Sequence, residues 1–381
     1  MSNLLQFGDS LKLASFFGLF PCYFDKDGKL QARNRWAFYL RSLFFSMIPI
    51  GGVVFATWYL LKAAPEGATL YQYLQWYVAG SPTFLDKVAF YAPVILTVIN
   101  GIAQIFVIGS KANTNVCLQE KFEEMPKGSQ GSWNIYKNVI LIFGSWLCLC
   151  LGTLVLHWRI CKDNEIPFIA GIIASATQCL TFLYFMSALA VFLVVFQSRV
   201  ENFLCWNRWL QRNLKYQTLV TCGNEYIEAL NYANGIGAST MFYFCFSITL
   251  LSIAVFFRAF SFGLDLYNTE SMNWDDYVFG SCFVFFGATQ SLLLYLLVLG
   301  SHKIVAENGT LLDEIERYRV MENVPAHCPA MNYLMKRLQA FEGFSANDYF
   351  YLNKPLITGI LANFITYFII LVQFKLSWTG A

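Results

Sequence analysis

Charge is what the sequence has least of. Only 13% of its 381 residues are Asp, Glu, Lys or Arg, about half of the roughly 25% that is typical of soluble domains. A soluble fold of this length could not bury the 57% of residues that are apolar inside one core. The composition therefore predicts a chain that is solvated largely by lipid, and it excludes disordered, fibrous and ordinary cytosolic proteins.

The residue types that carry most enzyme and metal chemistry are also scarce or scattered. There are three histidines, and the 11 cysteines are dispersed without a CxxC pair. The sequence has no HExxH, P-loop or GxSxG motif, so we expect no metal, no cofactor and no enzymatic activity. The formal net charge is only +2, and no basic stretch is interleaved with aromatics. Nucleic acid is therefore not an expected partner.

Long apolar runs are what the sequence has instead. Since a helix needs about 20 residues to cross the hydrocarbon layer, we predict an all-α membrane protein with seven transmembrane helices, at 42–61, 88–110, 138–158, 166–197, 235–257, 277–301 and 356–374. The fourth run is too long for one straight crossing. We place its helix over 177–197 and assign the preceding part to a loop. The alternative is two short helices, which would reverse the direction of every later span.

The lysines and arginines are distributed unevenly between the two sides of the membrane. Of the 26 in the chain, 20 lie in residues 1–41 or in the loops on the same side. This bias predicts a cytosolic N-terminus and an extracellular C-terminus. The expected units are a cytosolic segment 1–41, six transmembrane helices within 42–301, a cytosolic region 302–355, the last helix 356–374 and an extracellular tail 375–381.

The two longest cytosolic loops carry apolar residues at helical spacing. In 302–355, examples are Leu311, Ile315, Leu334 and Leu338. We expect 198–234 and 302–355 to extend the transmembrane helices and to pack into an anchor region. The single N-glycosylation sequon starts at Asn308 and falls in this region, so we expect no glycan there.

The last span differs from the others because it has a polar stripe. At 100° per residue, one face carries Asn363, Thr366, Ile370, Gln373 and Phe374, whereas Phe364, Ile365, Phe368, Leu371 and Val372 lie opposite. Polar groups at membrane depth are costly unless they meet partners or water. The polar side chains of the stripe therefore either form hydrogen bonds to neighbouring helices or line a pore. A pore lined by one helix per subunit requires several subunits in a ring.

Residues 366–374 read Thr-Tyr-Phe-Ile-Ile-Leu-Val-Gln-Phe. This nonapeptide resembles TYhhhhhQF, where h is apolar, the C-terminal signature of insect gustatory receptors. The stretch 344–356 and the early Phe-Phe-Gly-Leu-Phe-Pro at 16–21 also resemble that family. The resemblance implies a tetrameric, ligand-gated, nonselective cation channel in the cell membrane. Its partners would be a small tastant, permeant cations, membrane lipid, and identical or related subunits.

The same resemblance implies roles for residues of the last span. Gln373 and Phe374 would form the extracellular gate, while Thr366 and Tyr367 would lock the helix to its neighbours. Receptors of the main sugar clade tend to carry Glu after the Thr-Tyr pair, but this sequence has Phe368. That departure disfavours the sugar clade and leaves bitter-type, fructose-type and uncharacterised receptors open.

With this topology, a ligand would bind in the outer halves of the first six spans. The polar and aromatic candidates there are Tyr91, Thr97, Asn100, Thr153, His157, Trp158, Gln178, Ser252, Phe256, Tyr277 and Ser281. Aromatics with a few hydrogen-bonding groups suit a small ligand. The alternatives are an interfacial aromatic belt for Tyr91, Trp158 and Tyr277, and a structural role for His157.

Two other functions stay open on the sequence alone. A G-protein-coupled receptor also has seven spans, but its N-terminus is outside, and neither Asp-Arg-Tyr after the third span nor Asn-Pro-x-x-Tyr in the seventh is present. A membrane transporter often carries charges at the midplane, whereas the interiors of spans two to seven contain no Asp, Glu, Lys or Arg.

Overall fold

The computed structural model describes residues 8–25, 29–63, 99, 102–103, 105–124, 133–268, 274–325 and 328–379. The named elements in chain order are α1 Gly8–Phe16, β1 Cys22–Phe24, β2 Leu30–Ala32, α2 Arg35–Ala63, α3 Ala112–Glu124, α4 Trp133–Asp163, α5 Phe168–Arg212, α6 Tyr216–Asn268, α7 Trp274–Met321, α8 Pro329–Gln339 and α9 Lys354–Thr379.

Three helices are much longer than a membrane is thick. α5 has 45 residues, α6 has 53 and α7 has 48, which at 1.5 Å per residue gives about 68, 80 and 72 Å. A hydrocarbon core of about 30 Å uses less than half of each. α5 and α7 each contain an apolar stretch that could span the membrane and continue beyond it. All three helices include the segments that the helical spacing in 198–234 and 302–355 predicts as extensions.

The start of α5 corrects the prediction for the fourth span. α5 begins at Phe168, directly after Pro167, so both the loop before residue 177 and the pair of short helices are wrong. Proline suits the start of a helix because its φ is preset. The length argument failed because it assumed a helix surrounded by lipid. About two thirds of the apolar stretch of α5 (67%) is buried inside the protein, so lipid thickness does not limit it.

Apolar helices of spanning length confirm the membrane class. In the described part of the chain, four helices are long and apolar enough to cross a bilayer, within α2, α4, α5 and α7. A shorter apolar helix covers Lys354–Ile370. Most of the predicted second span lies outside the described residues; its end, 105–110, is helical.

The helix extensions pack around a core of large side chains. We call residues 198–234 and 302–339 the anchor bundle. Phe203, Trp206 and Tyr226 are buried at its centre, and Leu311 and Ile315 of α7 join them. Leu334 and Leu338 of α8 belong to the same apolar cluster. The apolar spacing in the loops thus marks faces that meet one another rather than lipid.

The N-terminal segment packs against the span that follows it. Gly18 adopts a φ of +71°, and a Cβ there would lie 2.7 Å from the backbone of Ser42 on α2. Only glycine allows this approach, in which the Ser42 hydroxyl donates to the Gly18 carbonyl at 2.5 Å. The antiparallel hairpin of β1 and β2 follows; it was not predicted, since each strand has only three residues.

Candidate functional site

A cavity of about 240 Å³ lies where α6, α7 and α9 meet. Its wall is mostly aliphatic and aromatic, with three hydroxyl groups on serine or threonine and a fourth on a tyrosine. The lining residues are Thr249, Ser252 and Phe256 of α6, Ser291, Leu294 and Tyr295 of α7, and Ile357, Ile360, Leu361 and Phe364 of α9. Such a concave, mainly apolar site with a few polar groups is typical of small-molecule binding.

The hydroxyl groups of the cavity are arranged in a defined order. Ser291 Oγ donates to the Gly287 carbonyl at 3.0 Å, and Ser252 Oγ lies 3.0 Å from Ser291 Oγ. Since a hydroxyl has one hydrogen, the arrangement that forms both bonds has Ser252 as the donor in that pair. Thr249 Oγ1 donates to the Cys245 carbonyl at 2.8 Å. All three hydrogens are committed, which leaves oxygen lone pairs as the polar groups of these side chains.

A row of three aromatic rings extends from the cavity along α9. The rings of Phe256 and Phe364 meet edge to face, with centroids 5.2 Å apart. Phe364 in turn stacks on Phe368, one helical turn further on, at 6.0 Å. A shift of Phe256 or Phe364 on ligand binding would therefore act directly on the last helix.

The polar stripe of α9 lies on the outside of the protomer. Asn363, Thr366, Ile370 and Gln373 are exposed. On the opposite face Phe364, Phe368 and Val372 are half-buried, whereas Ile365 is exposed. Thr366 Oγ1 donates to the Ala362 carbonyl of its own helix at 2.9 Å. Within the protomer these exposed side chains do not sit in a helix–helix interface. Phe374 belongs to α9, but its side chain is outside the described residues.

Residues 343–353 fix the start of α9 to α6 and α7. The Phe344 N–H donates to Ser301 Oγ of α7 at 2.9 Å, and the Ser345 N–H donates to Asn234 Oδ1 of α6 at 2.6 Å. Ser239 Oγ donates to Asn347 Oδ1 at 2.9 Å. This linker belongs to the stretch that resembles gustatory receptors, and it ties the last helix to both long helices of the cavity.

The predicted ligand residues do not all meet in one place. Ser252 and Phe256 line the cavity. His157 is buried, with Nδ1 2.8 Å from the Thr153 carbonyl, and Trp158 packs edge to face on Phe168 of α5. Gln178 is half-buried, Tyr277 and Ser281 are exposed, and Tyr91, Thr97 and Asn100 lie outside the described residues.

Sequence reasoning missed most of the cavity wall. Thr249, Ser252 and Phe256 share one helical face at spacings of three and four, and Ile357, Ile360, Leu361 and Phe364 repeat that pattern on α9. The spacing identifies each face but not which faces meet. The signal that would have found the site is the presence of hydroxyls on otherwise apolar faces of both α6 and α7.

Two solved structures reproduce this architecture. The insect olfactory receptor OR5 from Machilis hrabei in complex with eugenol matches with a TM-score of 0.65 and 13% identity, covering 97% of each chain. The structure described without a ligand matches with a TM-score of 0.63 and 12% identity, again over 97% of each chain. The fold is that of an insect olfactory receptor. No family model and no curated protein matches the chain.

The olfactory-receptor fold confirms the predicted class of all-α membrane protein with long apolar helices. Both alignments run over nearly the whole chain.

Proposed function

We propose that the protein is a chemosensory receptor of the gustatory type that works as a tetrameric, ligand-gated, nonselective cation channel. The observation that carries this proposal is the exposure of the polar side chains of α9, of which Thr366 and Gln373 belong to the TYhhhhhQF motif. A stripe of this kind in lipid is costly. It becomes favourable if it faces water at the axis of an assembly.

Four copies of α9 around one axis would enclose an ion path that a single helix cannot. Asn363, Thr366 and Gln373 supply hydrogen-bonding groups for hydrated cations, and Ile370 lies among them. A ring of Phe374 side chains at the outer end would close the path by keeping it dry. Thr366 and Tyr367 would also contact the neighbouring copy, since both side chains are exposed on the protomer.

The proposed orientation places the N-terminus in the cytosol and the anchor bundle beneath the membrane. The distribution of Lys and Arg supports it. The burial of Asn308 in the anchor bundle, at 2% exposure, agrees with an unused sequon. A small tastant would then reach the helices from outside, and the linker 343–353 would lie on the cytosolic side, where α9 begins.

The test is a recording from cells that express only this chain, during application of sugars, polyols and bitter compounds. We expect a cation current that persists when G-protein signalling is blocked. A response abolished by that block would instead identify a G-protein-coupled receptor, and substrate uptake without a gated current would identify a transporter. The purified, active particle should have the mass of four subunits; an active single subunit would contradict the assembly.

A further inference from the structure

The cavity among α6, α7 and α9 restricts the chemistry of its ligand. We infer that it binds a small neutral molecule with an apolar body and one hydroxyl donor, such as an aliphatic or aromatic alcohol, and that α9 responds to this binding. The response of α9 rests on the proposed channel function, whereas binding to the cavity can be measured without recording any current.

The size and lining of the cavity favour an apolar body. About 240 Å³ suits a molecule of roughly ten non-hydrogen atoms, since it is just below the range of pockets for drug-sized ligands. Leu294, Ile357 and Ile360 supply aliphatic surface, and Phe256 and Phe364 supply aromatic surface. A polyol would leave several hydroxyls without the hydrogen bonds that they form in water, which is unfavourable. A sugar therefore does not fit this cavity.

The order of hydrogen bonds favours a donor on the ligand. At the buried end, Ser252 is 6% exposed, and its hydrogen points to Ser291, whose own hydrogen is committed to Gly287. In this arrangement Ser252 accepts a hydrogen bond. For Ser252 to donate one, Ser291 would have to turn its hydrogen to Ser252, and the Ser291–Gly287 bond would be lost. A ligand hydroxyl meets this requirement, whereas an ether or ester oxygen does not. Tyr295, 46% exposed, lies at the open end of the cavity.

The position of the cavity connects binding to the last helix. Four of its ten lining residues belong to α9, and the Phe256–Phe364 contact of 5.2 Å closes one side. A molecule wedged between α6 and α9 changes that contact. The change is carried along α9 by the Phe364–Phe368 stack toward the residues that we propose as the gate.

The experiment is photolabelling of the full-length protein in lipid nanodiscs with 3-azioctanol, an octanol that carries a diazirine, followed by mass spectrometry of the adducts. We expect adducts on the cavity-lining segments of α6, α7 and α9. Competition then compares two isomers of equal apolar size, 1-octanol and 1-methoxyheptane. The alcohol should compete about fivefold to tenfold better, as expected for one net hydrogen bond, and sorbitol should not compete.

Matched variants separate filling of the cavity from loss of the acceptor. Thr249→Phe should abolish labelling, whereas Thr249→Val, which keeps the volume, should preserve it. Ser252→Ala should remove the advantage of octanol over the ether while the adducts remain. Tyr243→Phe, on α6 but not among the lining residues, is the control that should change neither result. In Tyr295→Phe the advantage of octanol over the ether should persist. If Thr249→Phe does not fold, the Ser252→Ala comparison alone decides.

Adducts confined to other segments, or equal competition by octanol and its ether isomer, would overturn the inference. The inference would also be wrong if the ether competed better than octanol and Tyr295→Phe abolished that preference. The ligand would then accept a hydrogen bond from the tyrosine. Specific labelling without any ligand-evoked current would leave the site standing and refute the channel. A ligand-evoked current with no labelling of the cavity would refute the site and leave the channel standing.

Discussion

At the scale of single residues, the anchor bundle depends on a buried polar network. Asn308 Oδ1 accepts from the Tyr226 hydroxyl at 2.6 Å and from Asn207 Nδ2 at 2.9 Å. Gln211 Nε2 donates to Asn207 Oδ1 at 2.8 Å, which extends the network. The asparagine of the sequon is thus a structural acceptor that joins α5, α6 and α7, and a glycan could not be attached without unpacking the bundle.

Asn308→Ala should lower the free energy of unfolding by about 1–3 kcal/mol, because it removes the acceptor of the buried Tyr226 hydroxyl and leaves Asn207 Nδ2 only its longer bond to Tyr226, at 3.4 Å. Thermal unfolding in detergent measures the loss. Thr310→Ala is the matched control. It also removes the sequon, but Thr310 is exposed, so stability should be unchanged. Glycosidase treatment should shift neither the wild type nor the variants; a mobility shift that Asn308→Gln abolishes would mean that the topology is inverted.

Glu201 on α5 makes stability depend on pH. Burial raises the pKa of this carboxyl to about 7, against a smaller opposite effect of Lys303. The fold therefore favours the neutral form. Stability is lowest above pH 7 and increases as pH falls toward 4.5, where the unfolded chain also binds the proton.

Glu201→Gln, which is neutral at every pH, should raise the free energy of unfolding at pH 8 by about 1–2 kcal/mol, allowing for solvent screening at a half-buried site. The advantage should disappear near pH 4.5. Melting temperatures across this range measure it, with Glu316→Gln as the control for loss of one negative charge. A constant difference at all pH values would contradict the assignment.

The sequence predicts which helix face carries each site residue better than which residues of other helices it contacts. Helical periodicity separates the exposed face of Asn363 and Thr366 from the packed face of Phe364 and Phe368, because the angle per residue is fixed. It does not tell which hydroxyl a neighbouring helix brings to Ser252. That depends on the relative rotation of α6 and α7, which follows from packing over their whole length.

At the scale of elements, the linker 343–353 decides where α9 begins. Gly343 has a φ of +128°, and a Cβ there would lie 2.9 Å from the Leu352 carbonyl and 3.0 Å from Ser301 Oγ. Asn347 and Asp348 also have positive φ. The tight path of the chain holds Phe344 against Ser301 and so sets the position of the last helix.

Gly343→Ala should destabilise the protein by about 1–3 kcal/mol, through backbone strain and the clash with Leu352, and should weaken the ligand-evoked response at equal surface expression. Gly309→Ala is the control, since a Cβ there meets no other atom. An alanine in that exposed helical position should be neutral or stabilise by up to about 1 kcal/mol. Equal behaviour of the two variants would show that the linker does not constrain α9.

The elements themselves were predicted unevenly. Apolar runs located the spans because burial in lipid or protein requires them, and apolar spacing in 198–234 and 302–355 predicted the extensions. The start of α5 was missed since an apolar run gives the same signal whether it faces lipid or protein. The hairpin of β1 and β2 has only three residue pairs, too short for a period of two to be recognised.

At the scale of the whole molecule, the account requires that the exposed stripe of α9 faces water rather than lipid. If Phe374 side chains form the gate, they determine how little current flows in the closed state. Phe374→Ala should raise the current without ligand severalfold, because a small side chain lets water into the constriction. Gln373→Ala should change conductance or ion preference while the ligand still opens the channel, and Leu371→Val, on the opposite face, should have little effect.

The reactivity of a cysteine placed in the stripe shows whether α9 faces the ion path. A cysteine at Thr366, in the middle of the stripe, should react in the open channel with a positively charged thiosulfonate and block the ligand-evoked current irreversibly. Phe368→Cys, on the half-buried face of the same helix, should keep its current, and so should the wild type with its own 11 cysteines. A Thr366→Cys channel that expresses well, opens with ligand and is unaffected by the reagent would contradict the account, because α9 would then not line the ion path.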